Sequence, residues 1–242
     1  ADLDHLALLD NFCWCSSNEP ERLHELRRAA EACFDYAVAY GTPFISGKDT
    51  MFNDVKGYDG NGNPTKISVL PTLLISVLGV IPDAAKTISI DVKVPGDIVY
   101  LIGETNEELG GSEYLRWQSG SGAKRYESRE VPKVNAPLNL RAYRVFFRCV
   151  EKNLIASAMS VGRGGLGVAL AKAAIAGGLG ISGSLAGLPG SAVRDDFALF
   201  SESQGRIVAT VSRVNARKFE MAMRGTPLHR FGIVSKKPAV RI

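Results

Sequence analysis

The first third of the chain combines one amphipathic helical segment with several strand-like runs. Apolar residues recur at helical spacing over residues 23–38, Asn18 is the predicted cap, and Gly41 can end the helix in a left-handed conformation. Residues 42–46 predict a short strand, and residues 66–81 predict one long strand because they are rich in β-branched side chains. Residues 58–64, with sequence YDGNGNP, predict the turn between them.

The rest of the chain interleaves strands and helices at uneven spacing, which favours an α+β sandwich over a regularly wound parallel sheet. Residues 118–133 are polar and predict a mobile loop. The proline-bearing stretch 82–95 predicts a junction, so we expect domains at 1–88 and 89–242. Helices are predicted at 138–152, 165–176 and 215–224, the last capped by Asn215, and strands at 97–103, 154–161, 179–185, 197–201, 206–211, 228–234 and 239–242.

Composition narrows the class of protein. Hydrophobic residues make up 45% of the 242 residues and charged residues 22%, as in ordinary globular proteins. No apolar run reaches the roughly 20 residues that span a bilayer, so we expect no membrane partner. The net charge of +4 is small and scattered along the sequence, which argues against nucleic-acid binding. The four cysteines lack metal-site spacing and fit free thiols in a reducing cytoplasm.

Two glycine-containing segments are candidates for phosphate binding, because free amides at such turns can hold an oxyanion. Gly162–Gly167 reads GRGGLG between a predicted strand and helix, but no acidic residue follows before Arg194, which disfavours a dinucleotide fold. Close helix–strand packing is the alternative. Gly47-Lys48-Asp49 predicts a tight turn that either binds a phosphate with its metal or forms a solvated ion pair.

Two further polar segments favour plain turns when taken alone. Residues 202–206, ESQGR, lie between two predicted strands and predict a hairpin turn with solvated side chains. Residues 110–114, GGSEY, are interpreted in the same way. No nucleophile–base constellation can be assembled from the three histidines, so no catalytic residue is predicted.

An ordered set of motifs, each weak alone, resembles the phosphoribosylformylglycinamidine synthase family within the aminoimidazole ribonucleotide synthetase superfamily. The set is LDNFCW at 9–14, ISGKDTMFND at 45–54, LGGSEY at 109–114, SVGRGGLGVAL at 160–170 and LFSESQGR at 199–206. The resemblance implies an incomplete N-terminal-like α/β domain followed by a C-terminal-like α+β domain.

The same resemblance implies a function. The whole enzyme would use ATP, Mg²⁺ and glutamine or ammonia to convert formylglycinamide ribonucleotide to formylglycinamidine ribonucleotide in cytoplasmic purine biosynthesis. This chain resembles the second, duplicate half, so we expect a fragment that is inactive alone and binds no cofactor tightly. Its expected partners are the catalytic half, a glutaminase and a second copy of itself. The alternatives are a stand-alone phosphate-binding module and another ATP-using enzyme of the superfamily.

The family pattern at the glycine turn resembles H-D-x-S-D-G-G-L, which aligns with residues 159–166. Ser160 and Arg163 stand where that pattern has acidic residues. Because Mg²⁺ prefers carboxylate oxygens, we expect no metal site here, and Arg163 could meet a bare phosphate instead. The predicted nucleotide- or phosphate-binding residues are Gly47, Lys48, Asp49, Gly111, Ser112, Arg163, Gly164, Gly165, Glu202, Ser203 and Arg206.

Overall fold

A computed structural model describes residues 3–120 and 128–242 of the chain. The chain divides into two compact units, Ala1–Pro82 and Asp83–Ile242. The domain limits predicted from sequence, 1–88 and 89–242, stay a prediction. In the described ranges, no helix is both long and apolar enough to span a membrane. Residues 121–127 of the predicted mobile loop lie outside the described residues.

The first unit contains one long helix and two small sheets. After a 3-10 turn at Leu3–His5, its elements are β1 (Leu6–Cys13), α1 (Pro20–Tyr40), β2 (Phe44–Thr50), β3 (Asp54–Tyr58), β4 (Pro64–Ser68) and β5 (Thr72–Gly79). The central strand β1 pairs in parallel with β2 and antiparallel with β5, while β3 and β4 form a separate hairpin. A small core of Phe12, Trp14 and Cys15 packs against α1 residues, including Leu26 and Cys33.

Three local predictions for this unit are wrong, although the left-handed end of α1 at Gly41 (φ 68°) is confirmed. The long strand predicted at 66–81 is two strands, because Pro71 cannot donate to a ladder and β4 and β5 pair with different partners. Glu19, not Asn18, occupies the N-cap position of α1. The turn predicted at Gly47 lies inside β2, where the pairing with β1 extends the strand through it.

The second unit is built on one six-stranded sheet. Its elements are a 3-10 turn at Ala84–Lys86, β6 (Ile98–Ile102), α2 (Glu113–Ser119), α3 (Ala136–Glu151), β7 (Ser157–Ser160), α4 (Gly165–Gly177), β8 (Gly180–Gly183), α5 (Asp195–Phe200), β9 (Ile207–Val211), α6 (Arg213–Ala222), β10 (Leu228–Ser235) and β11 (Val240–Arg241). The strand order is β11-β8-β10-β6-β9-β7, and only the β11–β8 pair is parallel.

The two faces of this sheet carry separate hydrophobic clusters. Since side chains alternate along a strand, Val99 and Leu101 of β6 pack in the cluster with α4, while Tyr100 and Ile102 pack in the cluster with α3 and α6. Every residue of β6 is buried. The predicted α+β class is therefore confirmed, with helices on both faces of the sheet.

Four predictions for this unit are also wrong. Residues 197–201 were expected to form a strand, but they lie in and just after α5, so 202–206 connects a helix to β9 and is not a hairpin turn. Ser212, three residues before Asn215, caps α6 by accepting the Asn215 N–H at 3.4 Å. The segment at 110–114 is not a solvated turn, because Ser112 is buried and α2 begins at Glu113.

Candidate functional site

The glycine turn between β7 and α4 has the backbone shape expected of an anion-binding turn. Gly164 and Gly165 both have positive φ (83° and 68°), and Gly164 is the N-cap of α4. A Cβ on Gly165 would lie 2.6 Å from the Leu199 carbonyl oxygen and 2.7 Å from that of Ser201. Glycine is required at 165 because the end of α5 packs directly against the turn.

One amide of this turn, that of Gly164, is already occupied by a carboxylate of the same chain. Glu202 Oε1 accepts hydrogen bonds from the backbone N–H of Gly164 (2.8 Å) and from that of Glu113, the first residue of α2 (2.9 Å). A carboxylate oxygen that receives two backbone N–H groups takes the place that an oxyanion would fill. Glu202 therefore closes the turn and ties α2, α4 and the 202–206 segment together.

Arg163 does not face an open phosphate position either. Its guanidinium forms an ion pair with the Glu113 carboxylate. The Arg163 side chain is 76% exposed and that of Glu113 is 38% exposed, so the pair contributes little to stability. The ion pair does neutralise the charge of Arg163, the residue that we expected to bind a bare phosphate.

Gly111 and Ser112 immediately precede helix α2. The Ser112 hydroxyl caps the helix by accepting the Leu115 N–H at 3.3 Å. Gly111 has a φ of 74° and open space around its α-carbon. In α2, the Tyr114 ring stacks on Phe200 of α5 at a centroid distance of 4.7 Å. This motif therefore fixes α2 against α5.

Arg206 is a buried structural cation. The residue is 1% exposed and donates to the Thr105 hydroxyl (3.0 Å) and to the carbonyl oxygens of Ser203 (3.1 Å) and Ser201. Burial lowers the pKa of Arg206 to about 10, although the nearby Glu108 and Glu202 carboxylates oppose that shift. Through these hydrogen bonds, the buried Arg206 side chain fixes the conformation of the 201–206 segment.

Glu108 is a part of this cluster that the sequence reasoning missed. It is buried, and its Oε1 accepts the Lys133 N–H at 3.1 Å while Oε2 has no hydrogen-bond partner in the described part of the chain. Its backbone N–H donates to the Ser201 hydroxyl (3.2 Å). Glu113 was also missed, although its place in the GGSE motif was a signal. No pattern in the sequence marks Glu108, because it lies just before that motif.

The structure brings the predicted residues of the second unit together, and the other three predicted residues belong to the first unit. Eight of the predicted residues lie in segments that meet at the ends of α2, α4 and α5: Gly111, Ser112, Arg163, Gly164, Gly165, Glu202, Ser203 and Arg206. Within this group, the Ser203 hydroxyl accepts the Asn106 N–H at 3.0 Å. Gly47, Lys48 and Asp49 lie in the first unit. All three are exposed in β2, where a Cβ on Gly47 would overlap the Asp10 carboxylate, its cross-strand neighbour.

Residues 94–242 match the family described as "AIR synthase related protein, C-terminal domain". The chain therefore belongs to the AIR synthase related family. Within the described ranges, no group of three or more His, Cys, Asp or Glu residues could hold a metal ion.

Curated relatives of the chain include phosphoribosylformylglycinamidine synthase subunits PurL, which confirms the resemblance drawn from the motifs. The subunit of Methanococcus aeolicus is 30% identical over 226 residues, which is 91% of this chain and 28% of that protein. The subunit of Deinococcus radiodurans is 31% identical over 242 residues, 98% of this chain and 31% of that protein. The chain thus spans less than a third of these relatives.

Solved structures share the fold at lower sequence identity. Thermotoga maritima PurL complexed with FGAR superposes with a TM-score of 0.63 at 19% identity, covering 95% of this chain and 35% of that one. A HypE–HypF complex gives a TM-score of 0.65 at 18% identity, covering 98% of this chain and 73% of that one. At these identities the likeness concerns the fold alone.

Proposed function

We propose that this chain is the duplicate, non-catalytic part of a phosphoribosylformylglycinamidine synthase. The whole enzyme makes formylglycinamidine ribonucleotide from formylglycinamide ribonucleotide, ATP with Mg²⁺, and ammonia from glutamine. The alignment of 91–98% of the chain with 28–31% of two PurL subunits supports this proposal. A structure of PurLQS from Thermotoga maritima suggests the kind of assembly in which such a chain works, together with a glutaminase. The expected compartment is the cytoplasm.

The single observation that carries the non-catalytic role is the closed glycine turn. Structures of Thermotoga maritima PurL hold ATP, AMPPCP and ADP. In this chain, the Glu202 carboxylate takes the Gly164 and Glu113 amides, and Glu113 pairs with Arg163. An incoming phosphate would have to displace Glu202 and would meet its negative charge. The turn therefore braces the fold and does not bind a nucleotide, while Ser160 and Arg163 supply no carboxylate for Mg²⁺.

Calorimetry of the chain with ADP, with and without Mg²⁺, tests this role together with an assay of product formation. We expect weak ADP binding that a chelator does not change, and no product from ATP, ammonia and the ribonucleotide substrate. Replacing Glu202 with Ala should free two amides and create binding of inorganic phosphate. The matched control is Glu107→Ala, which removes the same charge from an exposed position. Tight, chelator-sensitive ADP binding by the unmodified chain would refute the proposal.

The alternative of a stand-alone phosphate-binding module has less support. It required Gly47–Asp49 and Gly164–Gly165 to act as open turns. Gly47–Asp49 lies in a strand, and the amide of Gly164 is bonded to Glu202. Both candidate sites would need a rearrangement before they could bind a ligand.

We also propose that the first unit associates with a sheet from another polypeptide or from a second copy of the chain. Strand β5 exposes apolar side chains on both of its faces. Leu74 is 57% exposed and Leu78 is 58% exposed on one face, and Val77 is 60% exposed on the other. Monomeric proteins rarely expose contiguous apolar surface of this kind, so we expect a partner to cover it.

A further inference from the structure

Helices α3 and α6 lie side by side and antiparallel on one face of the six-stranded sheet. Both pack in the same hydrophobic cluster. Near the start of α6, Asn215 donates to the carbonyl of Asn153, just past the end of α3, at 3.4 Å. Beyond the end of α6, Gly225 adjoins Arg141 near the start of α3, where a Cβ would lie 2.4 Å from Nη2. The outward sides of the two helices therefore form one continuous surface.

This surface collects the positive charge of the whole chain. Residues 136–152 and 213–224 contain eight cations and two anions, a net charge of +6. Since the chain as a whole carries +4, the remaining residues sum to −2. The charge that looks scattered along the sequence is concentrated by the fold. The basic helical face consists of eight exposed residues, Arg141, Arg144, Arg148, Lys152, Arg213, Arg217, Lys218 and Arg224.

The two helical segments carry two acidic residues, Glu151 and Glu220, against eight cations. The Glu220 carboxylate accepts a hydrogen bond from the Tyr100 hydroxyl of β6 at 2.6 Å, so one of its oxygens already has a partner on the sheet. Arg148, Arg217 and Arg224 form no ion pair with any residue in the described ranges. Their charges are open to carboxylates or phosphates of another molecule.

Exposed apolar side chains lie among these cations. Val214 is 88% exposed and Met221 is 61% exposed, and both share a stripe of α6 with Lys218 because residues at i, i+4 and i+7 lie on one side of a helix. A phosphate backbone offers nothing for such side chains to bury. Arginine and methionine are, in contrast, enriched in protein–protein interfaces. The mixture favours a protein partner.

We propose that the basic helical face is a docking surface for an acidic protein surface that also presents apolar side chains. The partner's carboxylates would pair with the arginines of α3 and α6, and its apolar groups would cover Val214 and Met221. Such complementarity guides association and sets the register of binding. This inference does not depend on the proposed enzymatic function, because it rests on the charges and exposure of α3 and α6 alone.

Fluorescence anisotropy with a labelled helical peptide of Glu and Leu, its Leu residues at i, i+3 and i+4 spacing, tests the proposal. A peptide with Ser in place of Leu tests the apolar contribution. The variant R148E/R217E/R224E should weaken binding of the Glu/Leu peptide about tenfold or more. The matched control K86E/K172E/K236E makes the same charge change at exposed lysines outside the face. It should bind within about twofold of the unmodified chain, since distant charges are screened by salt.

Each other outcome would overturn the proposal. Equal loss in both variants would mean that only the overall charge matters. Tighter binding to a DNA duplex or to phosphatidylserine vesicles than to the peptide, lost in the face variant alone, would assign the surface to nucleic acid or membrane. Equal affinity for the Ser and Leu peptides would remove the apolar part of the proposal, and absence of peptide binding would remove all of it. Circular dichroism of both variants confirms that they fold.

Discussion

The two units of this chain use apolar residues in opposite ways. In the second unit, all five residues of β6 are buried between clusters on both faces of the sheet. In the described part of the first unit, the buried hydrophobic residues are Phe12, Trp14 and Cys15, and most of β5 is exposed. A strand-like apolar sequence therefore does not by itself imply a core. The second unit completes its own core, whereas the first leaves apolar side chains of β5 exposed.

The glycine segments show the same contrast on a smaller scale. Gly47 sits in β2 with its α-carbon against the Asp10 side chain, and no turn forms there. Gly164 does form a turn, and the chain fills it with the Glu202 carboxylate. Glycine near a cation or hydroxyl is therefore a weak sign of phosphate binding, because close packing accounts for both positions.

Separating the units gives the largest expected effect. Residues 83–242 expressed alone should fold and unfold cooperatively, because their clusters are complete within the unit. Residues 1–82 expressed alone should not, because three buried side chains cannot offset the entropy of ordering the segment. Thermal unfolding followed by circular dichroism measures both. Cooperative unfolding of a monomeric 1–82 segment would break the contrast.

Matched leucine truncations sharpen the comparison inside the folded chain. Leu101→Ala removes a fully buried side chain from β6 and should lower the free energy of unfolding by about 3–5 kcal/mol. Leu74→Ala acts on a side chain that is 57% exposed and should cost less than about 1 kcal/mol in the monomer. Denaturant titration at low protein concentration compares them. Similar losses would show that β5 is as well packed as β6.

Alanine substitutions at two glycines with positive φ distinguish the energetic cost of backbone strain from the cost of a steric collision. Gly165→Ala should cost about 2–4 kcal/mol, because strain at positive φ adds to a collision with the α5 carbonyls. Gly111→Ala, with φ 74° and open space, should cost only about 1 kcal/mol. Chemical denaturation again measures the difference. A cost at 165 no larger than that at 111 would contradict the packing explanation of the turn.

The smallest predicted effect is acid dependence at Asp91 in the second unit. A hydrogen bond from Lys93, helped by Ser89, lowers the pKa of Asp91 to about 2. Because this folded-state pKa lies below the ordinary value of about 3.9, the carboxylate stabilises the fold above about pH 4 and loses that contribution as the pH falls toward 2. NMR titration should show the pKa rising toward the ordinary value in Lys93→Met. An unchanged pKa would exclude Lys93 as the cause.

Local patterns in the sequence predicted the elements that depend on short-range signals. Helical periodicity and Gly41 predicted α1, and the apolar run at 97–103 predicted β6. The wrong elements were decided by contacts distant in sequence. Gly47 lies in a strand because the pairing of β2 with β1 continues through it. Residues 195–200 became a helix, which stacks Phe200 on Tyr114.

The sequence grouped several residues that the structure brings together, and their role as binding residues stays a prediction. The motifs grouped Arg163, Gly164 and Glu202 as candidate phosphate-binding residues, and the structure joins their segments at one turn. That Glu202 would fill the turn could not be predicted, because a carboxylate near a glycine turn can repel a phosphate or replace it. The burial of Glu108 could not be predicted from the sequence, because it depends on the fold around Ser201.

Light scattering on the whole chain tests most directly whether the first unit needs a partner. At micromolar concentration we expect a mass of about twice the 26.0 kDa of one chain, because covering β5 buries several apolar side chains at roughly 1.5–3 kcal/mol each. Val77→Glu, at a position 60% exposed in β5, should return the mass to that of a monomer. Val193→Glu, 86% exposed in the second unit, should leave it unchanged. A homogeneous mass of 26.0 kDa for the unmodified chain would contradict the prediction of self-association.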